Sequence, residues 1–311
     1  MDDQLRSLRS LIGIEHVALT FSDDASPDDT FKLLVQWAEY FVAVGVSARA
    51  LRTPSNLGYV RHFSAVLRSA RGEVLFLCDQ DDIWHAEKIA AISERFERDS
   101  ELLMVHSDAR LIDAAGVFSG HTLFGALDLC CSEIAAIHSG RAFSVLVRRS
   151  CVTGATMAVR RSVVELALPV GDGWIHDEWL AVVAAAIGKV DVIEKCLIDY
   201  RQHGGNAVGM RVRNWRDKWE DLRKARTAQF QQEVHRLNVL QERLLALGDC
   251  VSSWKLALLA ERLTHLQWRL QVGAEPHVLR VLPVLREWWS GRYARFGTGW
   301  RSALRDLLRR D

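Results

Sequence analysis

Glu73-Val74-Leu75-Phe76-Leu77-Cys78-Asp79-Gln80-Asp81-Asp82-Ile83-Trp84 is the stretch that decides the fold. After Glu73 its first half is wholly apolar and short, the composition of a strand covered on both faces of a sheet. Its second half ends that strand in a cluster of carboxylates. Upstream, residues 17–21 read as another apolar strand, ending in Ser22-Asp23-Asp24-Ala25-Ser26-Pro27, a polar turn with a proline placed to start a helix. Residues 4–12, 31–44 and 59–68 carry apolar side chains at helical spacing, and 46–51, 102–106 and 190–193 read as further strands. Short strands alternating with amphipathic helices predict an α/β fold, with ligands at the carboxyl ends of the strands.

After residue 209 the pattern becomes purely helical. Phe230, Val234, Leu237, Leu244 and Leu247 form one stripe, and Leu256, Leu259, Leu263, Leu266 and Leu270 another. The predicted division is therefore residues 1–209 for the α/β domain and 210–311 for a helical extension. The net charge of +1 conceals an asymmetry between the two. From Arg211 onward 20 Lys and Arg face 11 Asp and Glu, which leaves 20 against 28 in the first part and sets an acidic front against a basic back. Seven of the 11 tryptophans lie in the basic part. Six scattered cysteines without a CxxC pair argue against a zinc site or disulfide framework, and Cys130-Cys131 read as buried thiols. Neither a signal peptide nor an apolar run of about 18 residues is visible, so a cytoplasmic protein is predicted.

The acidic strand ends are the candidate chemistry. Carboxylates there suit a hard divalent cation, which takes oxygen ligands and shares them with substrate phosphates. Such a cation would neutralise a diphosphate leaving group. Either cluster alone reads better as a solvated turn with a helix cap. Two of them, each directly after an apolar strand, favour a functional site.

At this point the chain resembles a known family. Asn56-Leu57-Gly58, Arg71-Gly72 with the run through Trp84, Val152-Thr153-Gly154-Ala155-Thr156, His176-Asp177-Glu178-Trp179-Leu180 and Tyr200-Arg201-Gln202-His203-Gly204-Gly205-Asn206 are similar, in order, to family 2 glycosyltransferases. The rhamnosyltransferase-like branch is the nearest likeness, and Tyr293-Ala294-Arg295-Phe296 matches that branch's tail. The resemblance implies a GT-A-type, nucleotide-sugar-binding α/β/α sandwich with a mainly parallel sheet. It implies an inverting transfer from a nucleoside-diphosphate-sugar donor to a saccharide or lipid-linked saccharide acceptor, with Mg²⁺ or Mn²⁺ as cofactor. Carried over by position, Asp23, Asp24, Asn56 and Asp79 would bind the donor, and Asp79, Asp81 and His203 the metal. Trp84, Thr153, Gly154, His176 and Trp179 would shape the sugar or acceptor pocket, and Asp177 would be the general base. Read without the resemblance, His176-Asp177 is a structural pair or helix cap, Arg201 a surface ion pair, and Tyr59 and Phe63 core residues.

The family begins with a strand ending in a Tyr-Asn-Gly-like loop, and nothing before Gln4 supplies it. An unfilled central place in the sheet is therefore expected, and the alternative function is that of an inactive remnant that only binds. Haloacid-dehalogenase-like phosphatases also place DxD after a strand, but they need Thr or Val where Ile83 stands. The basic tail alternates arginines with leucines, which fits packing or a membrane surface better than nucleic acid. In the final helix Trp300, Leu304, Leu307 and Leu308 fall on one face, with Arg301, Arg305, Arg309 and Arg310 on the other. That arrangement predicts either docking on an anionic membrane or packing within the protein.

Overall fold

The computed structural model describes residues 1–202 and 226–309. The chain forms two compact units. One comprises Met1–Phe143, Ser150–Val170 and Ile175–Met210, the other Ser144–Arg149, Gly171–Trp174 and Arg211–Asp311. Two short internal pieces thus join the second unit, which a single cut after residue 209 does not anticipate.

The first unit contains strands β1 (Ala18–Asp23), β2 (Ser47–Arg52), β3 (Val74–Phe76), β4 (Ile83–Trp84), β5 (Leu102–Ile112), β6 (Phe118–Thr122), β7 (Met157–Arg160) and β8 (Lys189–Arg201). The α/β class holds, with short antiparallel pairings beside the two long parallel ones. Only β1 with β2 and β5 with β8 run parallel, while β3 and β5 flank β7 antiparallel, and β4 and β6 add antiparallel edges. The antiparallel pairings involve short return strands such as β4 and β7, which are too brief to show a period of their own. Strands β5 and β8 outrun their predicted lengths because buried polar residues (His106, Ser107 and Asp108 on β5) interrupt the apolar run without ending the strand.

The sheet is in two pieces. Strands β1 and β2 form one, and β3-β7-β5-β8-β4 the other. Among the described residues β1 pairs only with β2 and β3 only with β7, so each leaves an edge open. Residues of both strands line one cavity. A shared core still links the two pieces: Phe21 of β1 and Leu34, Ala38 and Phe41 of the helix Thr30–Ala43 cluster with Leu5, Leu8, Trp84, Ile89 and Leu111. The helix Asp2–Leu8 contributes Leu5 and Leu8 to that cluster, and its Ser7 hydroxyl accepts the Trp84 N–H at 3.1 Å.

The second unit is built from the helices Thr227–Ala246, Ser253–Ala274, His277–Trp289, Arg292–Phe296 and Trp300–Leu308. Its interior holds charge as well as leucine. Arg269 donates to both oxygens of the buried Asp306 at 2.7 and 2.9 Å, and the Tyr293 hydroxyl donates to the same carboxylate at 2.7 Å. The final helix does not sort as predicted. It buries Ser302, Ala303 and Asp306, and Arg309 just beyond it is buried too, whereas Trp300 and Leu308 are exposed. The ion pairs inside make that polar face the one that packs. The adjacent Cys130 and Cys131 are exposed rather than buried, because they start the short helix Cys131–Ala136 at the surface.

Candidate active site

The cavity between β1 and β3 has a volume of about 1500 Å³. It is larger than a typical small-ligand pocket of roughly 300–1,000 Å³. Its walls carry the residues that follow both strands, so the acidic clusters meet across one space as the strand-end argument requires.

On the β1 side the carboxylates hold a loop. Asp23 is buried, pairs with the Arg52 Nε at 3.1 Å and accepts the Ser26 N–H at 3.2 Å. Asp24 accepts the N–H groups of Leu57 and Gly58 at 2.8 and 2.9 Å and the Thr53 hydroxyl at 3.0 Å. Burial raises the Asp24 pKa, but these donors and the nearby His62 outweigh it and hold the carboxyl below its usual value. Asn56 donates to the Asp24 carbonyl at 3.0 Å and accepts the Gly58 N–H. Gly58 has φ +76°, a conformation that glycine adopts without steric cost, and this brings its N–H onto Asp24. Asp23, Asp24 and Asn56 all line the cavity, but the aspartate oxygens are committed to shaping its wall.

On the β3 side lies the DxD loop. Burial, with the charges of Asp81 and Asp177 next, pushes the Asp79 pKa up to about 6. Asp82 is buried and accepts only the Arg201 N–H, at 3.0 Å, through one oxygen; the other has no hydrogen-bond partner. Burial pushes Asp82 up to about 8. Arg201 pairs with the exposed Asp3 at 3.1 Å, as expected, and also does more. Its guanidinium donates to the carbonyls of Asp81 at 2.9 Å and Ala114 at 3.1 Å, tying the loop to the end of β8.

Lys88, which the sequence did not single out, is buried behind this loop. Its Nζ donates to the Ala155 carbonyl at 2.6 Å and sits 3.6 Å from the centroid of the Trp84 ring. Desolvation pulls its pKa down to about 7 although the Cys78, Asp82 and Asp79 charges oppose the shift. Replacing Lys88 by Met keeps the volume but leaves that carbonyl without its donor. The expected cost is about 1–3 kcal/mol in urea unfolding, and an unchanged midpoint would show that the bond contributes little.

The third wall is the start of the helix His176–Ile187. Asp177 accepts the Gly154 N–H at 2.8 Å and the Glu178 N–H at 2.7 Å. Burial raises its pKa despite these bonds. His176 stacks on Phe63 with centroids 4.1 Å apart and has Tyr59 edge-on at 6.3 Å. Tyr59 and Phe63 therefore line the cavity rather than the core, together with Thr153 and Trp84.

Two pocket assignments need correction. Trp179 is fully buried and donates to the Ala167 carbonyl at 2.7 Å, because two residues at 100° each put it on the opposite side of the helix from Asp177, in the core. Gly154 is buried and acts through its N–H on Asp177 rather than as a wall. His203 lies outside the described residues.

Both ring nitrogens of His176, and both of His106 on β5, are buried without partners. Desolvation takes each from 6.5 to about 4. A histidine held neutral in the fold contributes stability that is complete above the unfolded value of 6.5 and is lost as pH falls toward 4. The slope is up to about 1.4 kcal/mol per pH unit for each histidine. Denaturation midpoints measured across that window should fall steeply, and His106→Leu should flatten the slope; a flat wild-type profile would contradict this.

Among the described residues no three His, Cys, Asp or Glu side chains form a ready metal cage. The acidic loop nevertheless fits a cation shared with phosphate, which needs only one or two protein carboxylates. Asp79 and Asp81 repel each other and supply oxygen donors.

Comparison with known proteins agrees with this geometry. Residues 4–165 match the model of glycosyl transferase family 2. The uncharacterized proteins Rv1520 of Mycobacterium tuberculosis and Mb1547 of Mycobacterium bovis are each 26% identical over 243 residues, covering 77% of this chain and 65% of theirs. This chain thus matches just under two thirds of the length of those relatives. A crystal structure of S. aureus TarS 1-349 in complex with UDP-GlcNAc is 13% identical and covers 97% of this chain and 86% of its own, with a TM-score of 0.52. The likeness is one of fold, an α/β sheet domain followed by a helical portion.

Proposed function

The chain belongs to glycosyl transferase family 2, and on that premise we propose that it transfers a sugar from a nucleoside-diphosphate sugar to a hydroxyl of a saccharide or lipid-linked saccharide. The observation that carries this reading is the meeting of Asp79, Asp81 and Asp177 at one cavity, opposite the loop wall held by Asp24. TarS binds a nucleotide sugar, UDP-GlcNAc, on the same fold, and a donor of that class suits this space.

In this reading Asp177 is the general base. Its carboxylate is fixed by the Gly154 and Glu178 N–H groups, and burial makes it more basic than a free aspartate. The acceptor oxygen forms a bond to the anomeric carbon as the bond to the diphosphate oxygen breaks. The electron pair leaves with the diphosphate, the acceptor proton passes to Asp177, and the anomeric configuration inverts. Asp79 and Asp81 would hold Mg²⁺ or Mn²⁺, which when bound neutralises charge on the leaving diphosphate. Arg201 holds the loop that carries both aspartates, and Lys88 fixes the Ala155 carbonyl behind it. Tyr59 and Phe63, beside His176, offer aromatic surface in the cavity on which a sugar ring can stack. Thymidine-diphosphate rhamnose is the first donor to try, on the strength of the rhamnosyltransferase-like motifs.

The split sheet favours a second reading, a protein that binds nucleotide without turning it over. Release of nucleoside diphosphate from a panel of nucleotide sugars, with Mn²⁺ or Mg²⁺ and with and without saccharide acceptors, separates the two. Acceptor-stimulated release from one donor supports transfer; binding of a donor without release from any of them supports the remnant.

A further inference from the structure

The helix His277–Trp289 packs with its polar side inward. Arg280, Val284 and Glu287 are its buried residues. Arg280 donates to the carbonyls of Gly273, Glu275 and Arg309 at 2.7–2.8 Å, and Glu287 accepts from His265 at 2.7 Å. The outward side is apolar. Val278 is 84% exposed, Leu282 78% and Trp289 87%, with Leu279, Val281, Leu285 and Trp288 also exposed. At 100° per residue these seven positions cover about half the helix circumference, interrupted only by Arg286. Scattered exposed leucines are ordinary, but a contiguous apolar face of this extent marks an interaction surface.

We infer that this face docks on the surface of an anionic lipid bilayer, with the helix lying in the interface plane. Charge indicates the occupant. Residues 276–309 contain two acids, Glu287 and Asp306, and seven arginines, of which Arg280 and Arg309 are buried and Arg292 and Arg295 pair with Glu261. Both acids are buried and paired, with His265 and Arg269 respectively, so the acids of this segment are withdrawn from the surface. Arg286 and Arg301 are exposed beside exposed indoles, Arg301 lying 5.5 Å from the Trp300 ring centroid. Indoles with an apolar body and one N–H donor favour the headgroup zone, and cations beside them favour anionic lipid. A bilayer-spanning role does not fit, since no described helix is long and apolar enough to cross a membrane. This differs from docking through the leucine stripe of the final helix, because the inferred contact lies on the helix His277–Trp289.

Co-sedimentation of the whole 311-residue protein with vesicles tests the inference, using phosphatidylcholine alone against phosphatidylcholine mixed with phosphatidylglycerol, at low and high salt. The protein should bind the anionic vesicles at low salt and be released by high salt. Leu282→Glu with Trp289→Glu should abolish binding. Arg286→Gln and Arg301→Gln should each weaken it about fivefold, the equivalent of roughly 1 kcal/mol per arginine. These positions are exposed, and circular dichroism with thermal melts verifies that the variants fold. Absence of binding to anionic vesicles at low salt would overturn the inference. So would a wild-type dimer that the Glu variants convert to monomer, because the face would then belong to a second copy.

Discussion

Asp177→Asn is expected to lower turnover by roughly 10²–10⁴-fold while leaving donor affinity as it is. The amide oxygen can still accept the Gly154 N–H that now reaches Oδ2 at 2.8 Å, so the helix start and the cavity wall stay in place. What the amide cannot do is take a proton from an acceptor hydroxyl. The effect therefore falls on kcat, and nucleoside diphosphate should bind variant and wild type alike. Near-normal turnover in the variant would remove Asp177 from the mechanism and return it to the role of a helix-start aspartate.

The second large effect is expected at Asp81. Asp81→Ala should cost roughly 10³-fold in kcat/KM, since a lost cation forfeits several kcal/mol of leaving-group stabilisation. Asp79→Ala should act more on donor binding. Chelator gives a matched control: it should bring the wild type down to the Asp81→Ala level and leave that variant unaffected. An Asp81→Ala protein that stays fully active in metal, or a wild type indifferent to chelator, would separate the DxD loop from any cation.

Much of this was legible in the chain. Strand β3 and its carboxylates were read directly, because a wholly apolar run that stops at a row of aspartates marks the point where a buried strand reaches a polar crevice. The helices Thr30–Ala43 and Tyr59–Ser69 fall within a residue of their predicted ends, since a 3.6-residue period over three or four turns is a strong local signal. What the chain hid is non-local. The antiparallel pairing of Ile83-Trp84 with β8 joins residues more than a hundred positions apart, and two residues have no period. Lys88 reads as a surface lysine until the Ala155 carbonyl and the Trp84 ring are brought over it. Trp179 stands two residues after Asp177 in the stretch that resembles the family, yet the helix puts it on the opposite side, in the core. The helix His277–Trp289 hid its orientation for a related reason. Its pattern shows two faces, and only the partners of Arg280 and Glu287 decide which one is inside.

The Asp24 loop is instructive in the same way. The sequence marks Asp23, Asp24 and Asn56 as a polar group near a donor, and they do line the cavity. It does not show that the two carboxylates are already occupied by Arg52, Ser26, Leu57 and Gly58.

The most direct test of the central claim is calorimetric titration of the protein with a nucleoside diphosphate, in Mn²⁺ and again in chelator. The account predicts saturable one-to-one binding in Mn²⁺ that weakens sharply in chelator and in Asp81→Ala. Equal binding with and without metal, or no binding of any nucleoside diphosphate, would contradict it.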